Sequence, residues 1–237
     1  YDDQYWWKKD DMEFYKNIIP KNSSVLEIGS GTGRLAIPLL RENIDYHGLD
    51  LSKELCAFSD KKISNYDSKK RIFHEDMRSF DLDMKFDFIF IAFNTFLHIL
   101  TDGDAIKTFR CIKNHLNDKG IFILDILVPN PDFLYREGVD RELPVMDFKD
   151  SKTGELVEIF ERCAYDADTE VCNLDWEYRY KGKPKDAKVF SYQMRMYYPD
   201  TINRLLIDAG FQINERFGDY ECGRFNELSP LQIYVCQ

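Results

Sequence analysis

The sequence predicts an α/β fold: a doubly wound, seven-stranded, mostly parallel sheet with an inserted antiparallel β-sheet. Three observations predict it. Short apolar runs alternate with helical patterns over residues 21–130. A turn with three glycines on alternate positions, GSGTG, follows the first of those runs. Beyond Pro131 the period changes to two, in three long segments separated by turn-like DAD and KGKPKD.

Residues 1–20 read as a short aromatic segment and a helix that Pro20 stops. Residues 24–28 form a buried strand and 34–42 a helix. Residues 46–50 are a second strand, followed by a helix with Ser52 as its N-cap. Residues 71–75 are a third strand, and 86–93 (FDFIFIAF) a fourth whose continuous apolar run fits burial on both faces. Residues 104–116 are helical, NDKG is a turn, and GIFILDIL is the fifth strand. Residues 155–166, 169–180 and 187–198 alternate polar and apolar side chains, as strands of a sheet with one buried face do. Residues 199–208 read as a helix ended at Gly210, and 211–217 and 231–236 as the closing strands.

The 237 residues carry 42 acidic against 32 basic side chains, a formal net charge of −10. Such a surface works against a phosphate backbone, so no nucleic-acid partner is expected. Short basic clusters such as Lys69-Lys70-Arg71 read as solvated loops. The six cysteines form no C-x-x-C pair and no metal-ligand spacing, so no metal is expected, and Cys56 and Cys111, within helix-like patterns, read as reduced core or near-core thiols. No signal peptide or apolar run of about 18 residues is present, which leads to the expectation of a cytoplasmic protein without a membrane partner.

The stretch VLEIGSGTGRLAIPLL raises the question of which ligand its turn serves. Glycines let the backbone approach a ligand and adopt positive φ, at the strand ends where nucleotides bind in doubly wound sheets. A P-loop would need a Lys after its last glycine, and none follows. A dinucleotide fingerprint has the spacing G-x-G-x-x-G, whereas Leu35 and Ala36 stand where its third glycine would fall. Asp50 closes the next strand about 20 residues on, where an acid accepts from ribose hydroxyls. Taken alone, Asp50 fits NAD and S-adenosylmethionine equally.

The full set resembles the class I S-adenosylmethionine-dependent methyltransferases. LEIGSGTG matches their first motif through Glu27, Gly29, Ser30, Gly31 and Gly33. The resemblance implies a Rossmann-like fold and S-adenosylmethionine as cofactor, with Asp50 on the ribose and Leu51 against the adenine. It also implies Asp76 on the adenine amine, the backbone N–H of Met77 on a ring nitrogen, and Phe93 and Asn94 along the methionine portion. Arg34 either pairs with Glu27 or reaches the cofactor carboxylate. The opening YDDQYWW resembles the Y-D-x-x-Y start of small-molecule N-methyltransferases, including glycine- and aminosugar-modifying ones. There a Tyr approaches the cofactor carboxylate or methyl, and Tyr1 and Tyr5 match. The implied organisation is a helical lid (1–20), a cofactor core (21–130), an inserted sheet roofing the substrate or pairing subunits in a possible homodimer (131–198), and a closing segment (199–237).

Methyl transfer from a sulfonium is an in-line displacement that asks the protein chiefly for alignment and exclusion of water. His98 is a candidate base or, alternatively, a histidine bonded to backbone; Tyr1 is the second candidate helper. Trp6 and Trp7 either wall a substrate pocket or staple the N-terminal helix. Arg195, with Tyr197 on the same strand face, is a candidate substrate contact, or else bridges Glu177 or Asp175. No [DN]-P-P-[YFW] and no Pro-Cys follows the fourth strand, which disfavours methylation of DNA bases. The expected function is methylation of a nitrogen or oxygen of a small molecule. The alternatives are an NAD-dependent oxidoreductase and a non-catalytic module of the same fold.

Overall fold

Backbone pairing among the apolar runs builds one parallel block. The structure is a computed structural model that describes residues 2–135, 142–181 and 183–237. β1 (Ser24–Ile28), β2 (Asp45–Asp50), β3 (Ile72–His74), β4 (Phe86–Ile91) and β5 (Leu116–Leu127) are parallel, in the order β3-β2-β1-β4-β5. The helices among and around these strands are α1 (Asp10–Ile18), α2 (Ala36–Arg41), α3 (Lys53–Ser64) and α4 (Asp102–Asn114). A short 3₁₀ turn, Thr95–His98, follows β4, and α5 (Pro131–Leu134) follows β5. The chain then forms an antiparallel sheet of β6 (Leu143–Lys149), β7 (Leu156–Asp166), β8 (Val171–Tyr180) and β9 (Lys183–Arg195), paired in that order. After α6 (Pro199–Asp208), β10 (Ile213–Phe217) and β11 (Leu231–Cys236) complete the first sheet. β11 enters antiparallel between β5 and β10, giving seven strands ordered β10-β11-β5-β4-β1-β2-β3.

The strand order reverses between β1 and β4, so their carboxyl ends open a crevice. Ile28 pairs with Leu49 and with Ile91, which brings Gly29, Asp50 and Ala92 to the same end of the sheet. One face of the sheet buries Val25, Tyr46, Phe90 and Ile123 under Phe14, Tyr15, Leu35 and Leu39. Elsewhere in this unit Phe96, Phe109, Phe122 and Phe211 pack ring on ring at centroid distances of 4.8–6.4 Å. Each such ring removed from water contributes roughly 1.5–3 kcal/mol.

The chain divides into two compact units. One holds Lys8–Phe96, Thr101–Val128 and Tyr198–Gln237; the other holds the described residues of Tyr1–Trp7, Leu97–Leu100 and Pro129–Tyr197. Among the described residues no helix is long and apolar enough to cross a membrane.

Several boundaries differ from the sequence reading, each for a local reason. The helix after the glycine turn starts at Ala36 rather than Arg34, because Gly33 has φ +67° and cannot open a right-handed helix. NDKG is not a turn between elements but a bulge inside β5: Phe86 pairs with Leu116 and Phe88 with Ile121. β9 begins at Lys183, within the segment read as a turn, and ends at Arg195. β6 was not expected. Its Pro144 argues against a central strand, and β6 is an edge strand paired only with β7. Arg71 is not solvated: it is buried, and its guanidinium bonds Asp67, Asp45 (2.7 Å) and the Tyr46 carbonyl (2.8 Å).

Candidate functional site

β1 delivers the chain into the glycine turn, and two backbone bonds hold it to the end of β2. Gly29 and Ser30 both donate their N–H to the Leu49 carbonyl, at 2.7 and 3.0 Å. Gly29, Gly31 and Gly33 all have φ between +53° and +73°. A Cβ on Gly29 would lie 2.1 Å from the Thr95 methyl, so this glycine lets the turn after β4 pack against it. A Cβ on Gly31 would meet nothing within 4 Å. The backbone there faces open space, as a cradle for a ligand requires.

Asp50 borders that space. Its Oδ2 accepts from the Gly31 N–H at 2.7 Å and its Oδ1 from the Ser52 N–H at 2.8 Å. Each carboxylate oxygen keeps a further lone pair for a hydroxyl donor. The open Gly31 backbone beside a backbone-anchored carboxylate fits an adenosyl group, with its apolar base and paired ribose hydroxyls. Beyond Asp50, Leu51 is exposed and its carbonyl meets the His74 ring at 3.0 Å. Asp76 is half-buried and bonded by Arg78 through its backbone N–H and guanidinium, a pairing that holds its carboxyl below the usual range. Met77, next to it, is half-buried.

Glu27 lies deeper, 6% exposed, with the Tyr46 hydroxyl donating to it at 2.6 Å. Burial pushes its pKa up to about 8, against the pull of that hydrogen bond and of Arg34. Arg34 grips Asp11, a fully buried carboxylate of α1, with both guanidinium ends, and also donates to the Lys8 carbonyl. α1 is thereby tied to the glycine turn.

At the end of β4, Phe93 and Asn94 take φ of +50° and +66° in succession. Such backbone is strained by about 1–3 kcal/mol per non-glycine residue and persists only where the surroundings enforce it. Here Phe93 donates its N–H to Asp125 Oδ2 at 3.2 Å, and Asn94 donates its N–H to the Asp125 carbonyl at 3.3 Å. The Asn94 side chain accepts from the Leu127 N–H at 2.8 Å. Asp125, 1% exposed, accepts a further bond from the Tyr220 hydroxyl at 2.8 Å. Burial raises its pKa to about 6, against the Tyr220 and Phe93 bonds. Lys8 lies over the Tyr220 ring at 4.0 Å and the Phe93 ring at 5.5 Å, and Arg34 over Phe93 at 5.5 Å. Sequence reasoning singled out none of Asp125, Lys8, Asp11 and Tyr220 as site residues. A charge inside the apolar strand GIFILDIL was the one available signal, since a buried carboxylate needs a partner.

The structure thus brings Glu27, Gly29, Ser30, Gly31, Gly33, Arg34, Asp50, Leu51, Asp76, Met77, Phe93 and Asn94 into one unit. His98, Tyr5, Trp6, Arg195 and Tyr197 belong to the other, and Tyr1 lies outside the described residues. In that second unit the N-terminal segment is held by Asp3, which accepts from the Ser151 N–H and hydroxyl, and by Gln4, which accepts from the Tyr178 hydroxyl. Tyr5 is half-buried with its ring 6.5 Å from that of Trp7, and Trp6 is exposed. His98 is exposed, with Nδ1 3.3 Å from the Gln193 carbonyl. Arg195 pairs with Glu170, next to its cross-strand neighbour Val171, at 3.1 Å. Of the partners anticipated for it, Glu177 bonds Arg179 and Asp175 accepts from Ser191. Tyr197 is fully buried, its hydroxyl on the Ile99 carbonyl at 2.8 Å. That satisfied, enclosed hydroxyl is a core feature of this unit.

A family model described as a methyltransferase domain matches residues 25–120. The chain is 26% identical over 214 residues to a glycine/sarcosine N-methyltransferase of Aphanothece halophytica, covering 88% of this chain and 74% of that one. Among solved structures it is similar to the CcbJ methyltransferase of Streptomyces caelestis, with a TM-score of 0.79, 22% identity, and 97% and 88% of the two chains covered. It is also similar to an S-adenosylmethionine-dependent methyltransferase of Clostridium acetobutylicum, with a TM-score of 0.79, 19% identity, and 100% and 95% covered.

Proposed function

We propose that this chain, a class I S-adenosylmethionine-dependent methyltransferase, moves the methyl group onto a nitrogen of a small molecule. The observation that carries the cofactor reading is the open backbone at Gly31 beside an Asp50 carboxylate anchored by two N–H groups. In this reading Asp50 takes the ribose hydroxyls, Leu51 flanks the adenine, and Asp76 with the Met77 N–H faces its edge. Glu27, Ser30, the three glycines and Arg34 form the floor, and Phe93 and Asn94 border the methionine end. When bound, the cofactor supplies an electrophilic methyl group on a sulfonium.

The chain's own contribution is alignment and exclusion of water. An amine acceptor must be neutral to attack, and His98, whose ring is exposed, is the candidate to take its proton. Tyr1 and Tyr5 are further candidates near the methyl group, with Trp6 and Arg195 as candidate acceptor contacts. Preference for nitrogen is supported by the YDDQY opening and by similarity to a glycine/sarcosine N-methyltransferase. A homodimer paired through the antiparallel sheet belongs to the same reading.

Titration calorimetry with S-adenosylhomocysteine on the wild type and Asp50→Ala tests the cofactor half. A charge-assisted contact of about 1–3 kcal/mol predicts a loss of about five- to 150-fold in affinity. Unchanged affinity would overturn the assignment of Asp50. The acceptor half is tested by mass spectrometry of glycine, sarcosine, amino sugars and phenols incubated with enzyme and cofactor. Methyl gain confined to the phenols would overturn the choice of nitrogen.

A further inference from the structure

Two neighbouring left-handed residues that are not glycine, held by a fully buried carboxylate, form a feature that cofactor binding at Asp50 leaves unexplained. We propose that Asp125 and Tyr220 are positioning residues of the methyl-transfer site, which hold Phe93 and Asn94 in left-handed backbone and so set the surface facing the methionine end of the cofactor. The inference rests on the methyltransferase reading above and deepens it.

The strain runs against local preference. Asn tolerates positive φ through its short polar side chain, but Phe does not. A chain free to choose would relax Phe93, so something outside residues 92–95 must hold it. The bonds that do so come from β5 and from the segment after β10. Asp125 takes the Phe93 N–H on its side chain and the Asn94 N–H on its backbone, and the Leu127 N–H closes on the Asn94 side chain. The Tyr220 hydroxyl, 2.8 Å from the same Oδ2 that accepts from Phe93, orients the carboxylate. Charged and titratable groups around Asp125 are Lys8, Asp11, Tyr15 and Tyr220. Among them the Lys8 ammonium, over the Tyr220 ring, favours a negative Asp125.

The turn so held is next to the cofactor cradle. The Thr95 methyl fills the place where a Cβ on Gly29 would be. Asp50 closes β2 at the same end of the sheet, on the far side of Gly31, and its side-chain bonds do not involve β4 or β5. The two ends of the ligand are thus served by separate supports, and this makes the role separable by experiment.

Calorimetry with two probes, S-adenosylhomocysteine and 5′-methylthioadenosine, reads that separation. The second probe keeps the adenosyl part and lacks the amino-acid end. Asp125→Leu removes the acceptor, and it is expected to weaken S-adenosylhomocysteine on the order of tenfold while leaving methylthioadenosine within about twofold of wild type. Asp125→Asn keeps an acceptor for the Phe93 N–H and is expected to restore most of the lost affinity. Tyr220→Phe leaves the carboxylate in place but unoriented, and is expected to give a smaller loss, again confined to S-adenosylhomocysteine. Should Asp125→Leu fail to fold, which melting of the ligand-free protein reports, Tyr220→Phe and Asp125→Asn decide on the same two probes. Equal weakening of both probes, or of neither, overturns the positioning role, as does Asp125→Asn behaving like Asp125→Leu. A wild type that binds neither probe overturns the methyltransferase reading itself, and the positioning role with it.

Discussion

Glu27 sits beneath the glycine turn with the Tyr46 hydroxyl 2.6 Å away, and burial pushes its pKa up to about 8. In an unfolded chain a glutamate titrates near 4.3. Between these values the folded protein holds a proton that the unfolded chain has released. Glu27 therefore contributes stability that is fully present below about pH 4.3 and is lost as pH rises through about 8. Glu27→Gln removes that dependence while keeping an acceptor for Tyr46. Melting curves at about pH 6.5 and 8.5 are expected to show the wild type losing on the order of a few kcal/mol more than the variant. Equal losses would mean that Glu27 is already ionised in the folded state. Asp50 and Glu27 could be singled out in the sequence because their spacing to the glycines lies within about 25 residues. Asp11 and Tyr220 could not, and the charge inside GIFILDIL marks Asp125 without its partner, because residues 95 positions apart, as Asp125 and Tyr220 are, come together only through the order of strands.

At the level of elements, the ends of β1 and β4 interlock. A Cβ on Gly29 would fall 2.1 Å from the Thr95 methyl but 3.1 Å from its Cβ. Gly29→Ala thus combines two penalties: left-handed backbone, about 1–2 kcal/mol, and overpacking, about 1–3 kcal/mol. Gly31→Ala, with open space around it, carries only the first. Thermal melting is expected to rank Gly29→Ala well below Gly31→Ala, and Gly29→Ala/Thr95→Ser to recover the packing part of the loss. If the two single variants melt together, Thr95 is free to move and the interlock is absent. The parallel strands were readable because apolar runs of this kind have few other uses. β6 and the start of β9 were not, since Pro144 and the KGKPKD stretch carry turn-forming residues that an edge strand tolerates. NDKG likewise reads as a turn whether it ends a helix or bulges out of β5, and only the pairing of Phe86 and Phe88 decides.

For the whole molecule, charge decides which acceptors can approach. The chain carries ten more acidic than basic side chains, and several of the described arginines are engaged by carboxylates. Arg34 grips Asp11, Arg71 binds Asp45 and Asp67, Arg78 binds Asp76, Arg179 binds Glu142 and Glu177, and Arg204 binds Asp102. A polyanion is bound when unpaired protein cations displace its counterions into solution, and the affinity then falls steeply with salt. With these arginines paired and a net charge of −10, the expectation is weak binding to a phosphate backbone. A small, neutral or cationic amine meets no such barrier, and a negative field raises the local concentration of the cationic form. Heparin chromatography at about 50 mM salt, within one Debye length of about 14 Å, is the stringent test because screening is weak there. The protein is expected in the flow-through, and duplex and single-stranded oligonucleotides are expected to leave its S-adenosylhomocysteine affinity unchanged. Retention that needs high salt to release would reveal a basic stripe, and would move the acceptor from small amines to nucleic acid.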